Sequence, residues 1–561
     1  MIRKACYLKN SRPFIRVFVV FFKKDNMVCG MWYRLNQLKL NSARFSANID
    51  SLLPQIVAKE LNMDSASLHS LHILSRSLDA RHGIPTILYN LMFELDCEPN
   101  QPLRNLEPLS EEQRQKLISV DPELPDAACS FQNPIVVGTG PCGIFAALAL
   151  AMMGCKPIII DRGFDIVKRN ADCQNFLQSR NLNPESNLLI GEGGAGTYSD
   201  GKLYTGTKSS RSAFILKTYT EAGAPNDIQY MKHPHIGSDN LGNVAASLRK
   251  KIMALGGTFL FGTAVKDLLI QNKRCTGVIT AAGEKLSAPA VLIAAGLGGR
   301  ELNAALRAKK VEYQLKGFQI GSRIEHPQTF IDQQQYHMGK KPDSLSAAEY
   351  HLLSRGQAGA LPVCSFCMCP GGEVVMASGW EKHLVSNGMS CHARAGKFAN
   401  SALIVTLSPT KFGSAEEAFS MLEGLEQRAF KLGGEDYTFP AQDVAAFLRG
   451  EKLLQNKQST ATTGLTAARL DQLFPRDWHD NIVSAVCYFD RQCPGFICNG
   501  KFIGVETCVS SPVRFLREPQ TLASSLPGLW LGGEGAGCAG GIMSAAIDGM
   551  KLACAIIEKN K

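Results

Sequence analysis

Apolar positions along this chain change their spacing as the chain proceeds. From Tyr33, YRLNQLKL alternates with the period of a half-buried strand. DSLLPQIVAKELNM then sets Leu52, Leu53, Ile56, Val57 and Leu61 on one side of a helix that Asp50 would cap. LHSLHIL and PTILYNLMFEL return to strand spacing. This β-α-β-β order predicts a small α+β domain over residues 31–105, following an extension over 1–30. Residues 106–130, charged and carrying Pro108, Pro122 and Pro125, read as a linker with a short helix.

Beyond residue 131 short, continuously apolar runs end in glycine-dense turns, the pattern of α/β nucleotide-binding architecture. NPIVVGTGPCGIFAALALAMMGCKPIIIDRG holds a buried strand, then Gly138, Gly140 and Gly143 in G-x-G-x-x-G spacing, an Ala-rich helix opened by Pro141, and a second strand ending at Asp161 and Arg162. Gly138 permits the tight turn, Gly140 lets backbone approach a pyrophosphate, and Gly143 lets helix and strand pack closely. The helix N-terminus offers unpaired N–H groups to phosphate. Asp161, 23 residues after Gly138, stands near the spacing of an acid that binds ribose hydroxyls. This fingerprint predicts a dinucleotide without separating NAD from FAD.

Three later segments favour FAD. GEGGAGTYSDGKL offers Gly193, Gly194, Thr197, Ser199, Asp200 and Lys202 to a flat ring and to phosphate and ribityl oxygens; the competing interpretation is a flexible surface loop. Residues 240–300 read as a helix, a β-meander beginning near Val265, where backbone would hold adenine, and a closing strand that ends at Ala295 and Gly296. Near the C-terminus, GLWLGGEGAGCAGGIMSAAIDGM delivers Gly533 and Glu534, whose carboxylate can accept from ribityl hydroxyls. Gly541 and Ile542 then open a helix whose positive end would face the flavin edge that gains negative charge on reduction. The predicted fold class is α/β: a Rossmann-like two-dinucleotide-binding FAD domain split into residues 131–300 and 501–561, around a substrate or cap domain over 301–500.

The chain resembles the uncharacterised FAD-dependent dehydrogenases of bacteria and plastids, within the glutathione-reductase-like flavoprotein superfamily. The resemblance runs from about Tyr33 to the end and rests on SLDAR (77–81), GTGPCG, GEGGAGTYSDGKL, HIGSDNL (235–241), IGSRIEHPQ (320–328), SFCMCPGG (365–372), NGMSCHAR (387–394), SSPVR (510–514) and GEGAGCAGGIMSAAIDG (533–549). Two departures stand out. LGG at 297–299 replaces a His and a small hydroxyl residue after the closing strand, and Cys508 replaces an Arg before SSPVR.

Because a flavin carries the redox step, the protein needs no acid or base for hydride transfer itself, and catalytic side chains are only candidates. In IGSRIEHPQ, strand alternation puts Arg323 and Glu325 on one face; Arg323 or His326 either meets the flavin or an acidic substrate, or serves a structural ion pair. Cys367, with Cys364, offers a dithiol or plain packing. Its C-x-x-C-x-C spacing does not suit a metal, and none is expected. Asn387, His392, Arg394 and Arg514 read as lining of a substrate pocket or as loop and cap residues. Arg76, Arg81 and His82 mark a turn of the first domain that either docks and gates or carries ordinary salt bridges. No second glycine fingerprint follows a strand in residues 300–500, so any NAD(P)H donor would dock transiently.

Composition bounds the remaining choices. The 561 residues give room for two to four domains, and the net charge of +10 comes from 60 basic against 50 acidic residues without a polybasic block, so no nucleic-acid partner is expected. VFVVFF (17–22) is too short for a membrane span, no membrane association is expected, and Met27 or Met31 are alternative starts. The 18 scattered cysteines read as free or buried thiols of a cytoplasmic protein. The expectation is an FAD-dependent oxidoreductase of a small molecule, of unknown oligomeric state. The alternatives are an RNA-modifying flavoprotein and a non-catalytic FAD-binding redox sensor.

Overall fold

The computed structural model describes residues 30–560 apart from 46–48, 82, 102, 127–128 and 357–359. His82, VFVVFF and Met27 therefore lie outside the described residues.

At the centre is a five-stranded sheet in the order Leu529–Leu531, Val291–Ile293, Ile135–Val137, Ile158–Ile160, Thr258–Leu260, with every pairing parallel. The sequences IVV, III and VLI suit strands with little exposed surface on either side, which is why they read as unbroken apolar runs rather than as alternation. The strand from the far C-terminus thus lies beside one from the middle of the chain. Helix Pro141–Met152 is buried along nearly its whole length, and the C-terminal helix Ile542–Lys559 packs on it. Their approach depends on Gly549, where a Cβ would stand 2.0 Å from the Cys142 carbonyl oxygen. The antiparallel strands Val265–Gln271, Arg274–Thr280 and Lys285–Ser287 form the meander.

A seven-stranded sheet faces this module, in the order Leu353–Ser354, Val363–Cys369, Phe398–Leu407, Phe318–Pro327, Lys501–Glu506, Phe439–Asp443, Leu465–Ala467. Helices Gln328–Tyr336, Ala415–Gly433 and Arg476–Gln492 pack against it.

The N-terminal sheet runs Leu68–Asp79, Thr86–Leu95, Met31–Asn41, Leu106–Pro108. Its last strand takes up the first residues of the stretch expected to be linker, because Leu106–Pro108 pairs with Tyr33–Leu35. Asp50 does not cap the helix Leu53–Glu60. A 3-10 turn, Ile49–Leu52, precedes that helix, and Pro54 removes one of the N–H groups a cap would bind. The Asp50 carboxylate instead accepts from the hydroxyls of Tyr89 (2.6 Å) and Tyr230 (2.8 Å) and pairs with Arg76 (3.4 Å). With the main-chain bonds Arg76 N to Tyr230 O and Lys232 N to Arg76 O, it ties the N-terminal sheet to the central module.

The expectation of free thiols fails at one pair. Cys129 is disulfide-bonded to Cys155, 26 residues away, because the segment entering the module runs along the turn after the first helix, where the Asn133 amide donates to the Cys155 carbonyl. Among the described residues no helix is long and apolar enough to cross a membrane.

Candidate functional site

The glycine turns from distant parts of the chain meet. Gly138 (φ 103°) crosses under Ala294, whose carbonyl oxygen would be 2.4 Å from an added Cβ, and a Cβ on Gly143 would stand 1.9 Å from the Gly138 carbonyl oxygen. Gly194 stacks on Gly140, with an added Cβ 3.1 Å from the Gly140 Cα. Gly196 touches Ile542, Gly533 touches Cys142, and a Cβ on Gly535 would strike the Gly296 carbonyl at 2.1 Å. The turns at 138–143, 191–196, 294–299 and 532–542 therefore surround one place.

Gly140 differs from its neighbours. Its φ of −67° and ψ of 176° are open to any residue, and an added Cβ would have nothing nearer than 3.9 Å. Nothing in the protein's own packing demands a glycine there, so the room in front of this helix N-terminus is suited to a ligand brought against backbone.

Sequence reasoning missed the residue that shapes the second turn. Arg169, fully buried on helix Ile166–Ser179, donates to the carbonyls of Asn187 (2.8 Å), Glu192 (2.6 Å), Gly194 (3.0 Å) and Gly191 (3.2 Å). Glu192 is also fully buried and holds Arg249 (2.7 Å) and the Ile166 amide (2.7 Å). GEGGAG is thus a clamped turn rather than a flexible surface loop. An arginine on a polar helix carries no pattern that distinguishes a buried organiser from a solvated side chain.

Asp161 accepts from the Thr139 amide (2.9 Å) and hydroxyl on one oxygen and from the Gly163 amide (2.8 Å) on the other, which keeps a further lone pair. The Thr263 amide donates to its carbonyl, so the chain entering the meander at Val265 passes beside it. Arg162 pairs with Glu185 (2.9 Å) and Glu301 (3.3 Å). Ala295 and Gly296 follow Ala294, whose amide donates to Val137. Thr197 bonds the Glu192 carbonyl, and Ser199 that of Gly196, both inside the turn. At the C-terminal turn Glu534 accepts from the Gly541 amide (3.2 Å), the N-cap of the last helix. Burial pushes its carboxyl up to about 7, against the opposing pull of that hydrogen bond and of Lys316. Lys316 and Asp548, which accepts from the Gly533 amide (2.9 Å), are further residues the sequence did not single out.

Several expected ligand-binding side chains are spent on one another. Asp200 pairs with Lys202 (2.6 Å) and, through both oxygens, with the buried Arg394. Despite burial these cations hold its carboxyl well below the usual range. Lys202 also reaches the Met368 carbonyl. Arg394 is therefore a brace between the second turn and the cap, not an open substrate cation. Arg323, fully buried, faces Glu506 (3.2 Å), the Cys367 carbonyl (3.1 Å) and Asn387 (3.3 Å), so the ion-pair alternative holds for it, with Glu506 rather than Glu325 as partner. Glu325 bonds Thr460 instead (2.6 Å). His326 is fully buried between Phe330 and Phe496, its Nε2 2.8 Å from the Phe496 carbonyl oxygen, and burial lowers it to about 4; it is a neutral core residue. Arg514 is exposed, opposite Gln314 in a two-stranded ribbon.

Cys367 alone of the three catalytic candidates is exposed. It has φ 43° at a bulge between Phe366 and Cys369, where its strand loses register with Phe398–Leu407.

The family model described as FAD-dependent protein, C-terminal domain-like, matches residues 317–509, and the model for FAD dependent oxidoreductase matches residues 232–356. An uncharacterized protein of Clostridium beijerinckii is 37% identical over 535 residues, covering 93% of this chain and 99% of its own. The chain belongs to this family of uncharacterised FAD-dependent oxidoreductases. Among solved structures, a geranylgeranyl bacteriochlorophyll reductase-like protein of Thermoplasma acidophilum is 13% identical with a TM-score of 0.34, over 76% of this chain and 78% of that one. The glycerol-3-phosphate dehydrogenase of Bacillus halodurans, complexed with FAD, is 9% identical with a TM-score of 0.33, over 78% and 66%. Likenesses of this size carry no argument about chemistry.

Proposed function

We propose that the chain binds one FAD where the four glycine turns meet and exchanges electrons between it and a small organic substrate. The pyrophosphate would lie against Gly140, Pro141 and the helix they open, with Gly193 and Gly194 behind it. The ribose would meet Asp161, the ribityl chain Glu534, and the ring edge the Gly541–Ile542 helix end. When bound, FAD would supply hydride transfer at its ring. The chain's own work is to seat the cofactor, to place a helix dipole at its ring, and to close the space between module and seven-stranded sheet. Cys367 stays the candidate for holding a proton there. A nicotinamide donor, if used, would dock transiently. The match to an FAD dependent oxidoreductase model supports electron transfer over RNA modification or a silent sensor.

The observation that carries this reading is Gly140, a glycine with open space where its side chain would be. Gly140→Ala should fold, because an added Cβ meets nothing nearer than 3.9 Å, yet bind FAD at least tenfold more weakly, since the added methyl fills the approach to backbone. Flavin absorbance of the purified variant, beside its circular dichroism, checks both. A folded variant that retains full flavin would place the cofactor elsewhere.

A further inference from the structure

A cavity opens where the cofactor turns meet the seven-stranded sheet. One wall is Gly296 and Gly535, from two of the four turns; the other is the segment leaving strand Lys501–Glu506, with Thr507, Cys508 and Ser511, and Arg300 reaches in from the helix after the closing strand. Both departures from the family pattern, at 297–299 and at Cys508, fall on this cavity.

Its charge is already balanced. Arg300 lies 3.8 Å over the Trp380 ring and donates twice to the fully buried Glu426 (2.9 and 2.6 Å), which also accepts from the Thr507 hydroxyl. Three other cations near the turns are held in the same way, Lys202 and Arg394 by Asp200 and Arg323 by Glu506. A carboxylate or phosphate entering here would lose its water and meet no unclaimed cation among the described residues that line the cavity, with the Glu426 charge behind Arg300.

The hydroxyls point the same way. Thr507 gives its hydrogen to Glu426 and keeps an oxygen lone pair to offer. Ser511 accepts from the Val513 amide (3.3 Å) and keeps its hydrogen to give. These two hydroxyls, with one spare acceptor and one spare donor, match a group that both donates and accepts. A carboxylate only accepts, so the Thr507 oxygen would repel it; a hydrogen phosphate keeps an O–H to give, but brings its charge toward Glu426.

We propose that this cavity is the substrate subsite and that it selects an uncharged donor–acceptor group, a hydroxyl or carboxamide, against a carboxylate or phosphate. The proposal rests on the FAD reading for its place beside the ring, while the selectivity is a property of the cavity itself. The test is ligand-observed NMR on the full chain with acetamide, propane-1,2-diol, acetate and inorganic phosphate as probes, alongside flavin difference spectra of FAD-loaded protein. The neutral probes should saturate, with acetate and phosphate at least tenfold weaker. Cys508→Phe, which fills the cavity, and Ser511→Ala, which removes the donor, should each weaken the neutral probes at least fivefold without lowering flavin content. Acids binding as tightly as the neutral probes, no probe binding, or neutral binding indifferent to both substitutions would overturn the subsite. NMR binding as expected but without a flavin perturbation would keep the selectivity and overturn its place beside the ring. A chain that takes up no flavin at all sinks the cofactor reading, while the NMR arm still decides the cavity's selectivity.

Discussion

Single residues in this chain owe their behaviour to burial more than to type. His326 is the clearest case, an imidazole in an aromatic pocket with one nitrogen on a carbonyl. Its folded pKa of about 4 lies below the ordinary 6.5, so the unfolded chain binds more protons across that window. Its stabilising contribution is complete above pH 6.5 and declines as pH falls toward 4, by on the order of 3 kcal/mol in all. His235, also lowered to about 4 by burial, adds to the same slope. His326→Phe should keep the ring packing, cost about 1 kcal/mol at pH 7 for the lost hydrogen bond, and flatten the loss of stability between pH 6.5 and 4. Urea unfolding at a series of pH values measures this, and an unchanged slope would show that His326 is not the group being held neutral. The spacing of IGSRIEHPQ could not tell such a residue from a catalytic one, because alternation reports which face a side chain takes and not what stands opposite it. Arg323 was obscure for the same reason: its partner Glu506 comes from a strand far along the chain.

At the scale of elements, the parts that were legible have local causes. Ile135–Val137, Ile158–Ile160 and the turn between them were readable because buried strands need β-branched runs and the turn needs Gly138 at positive φ. The clamp on the second turn was not, since four carbonyls converge on one guanidinium only after folding. Arg169→Leu would orphan those carbonyls and should cost about 3 kcal/mol. The turn would open, which calls for at least a tenfold loss of FAD affinity and early proteolytic cleavage within 187–196. A variant that is cleaved no faster and binds FAD normally would make Arg169 a bystander. The misjudged Asp50 cap has a matching lesson. Capping signals read only the neighbouring residues, and two tyrosines from elsewhere outbid the helix for that carboxylate.

The whole molecule is a five-stranded parallel module assembled from separated stretches, with one sheet facing it and another tied to its flank. Its assembly was legible because the C-terminal stretch GLWLGGEGAG repeats the strand-then-glycine grammar of the first turn; the register that sets Leu529–Leu531 against Val291–Ile293 was not, since it depends on contacts such as Gly549 against Cys142. The disulfide Cys129–Cys155 escaped sequence reading for the same reason, because its partners meet only once the entering segment lies along the module. The central claim is that turns from both halves close on one cofactor, and hydrogen exchange of the full chain with and without FAD tests it most directly. The account predicts that FAD slows exchange together at 138–143, 191–197 and 533–542, with one FAD bound per chain. Protection confined to one of these segments, or spread evenly without regard to them, would contradict it.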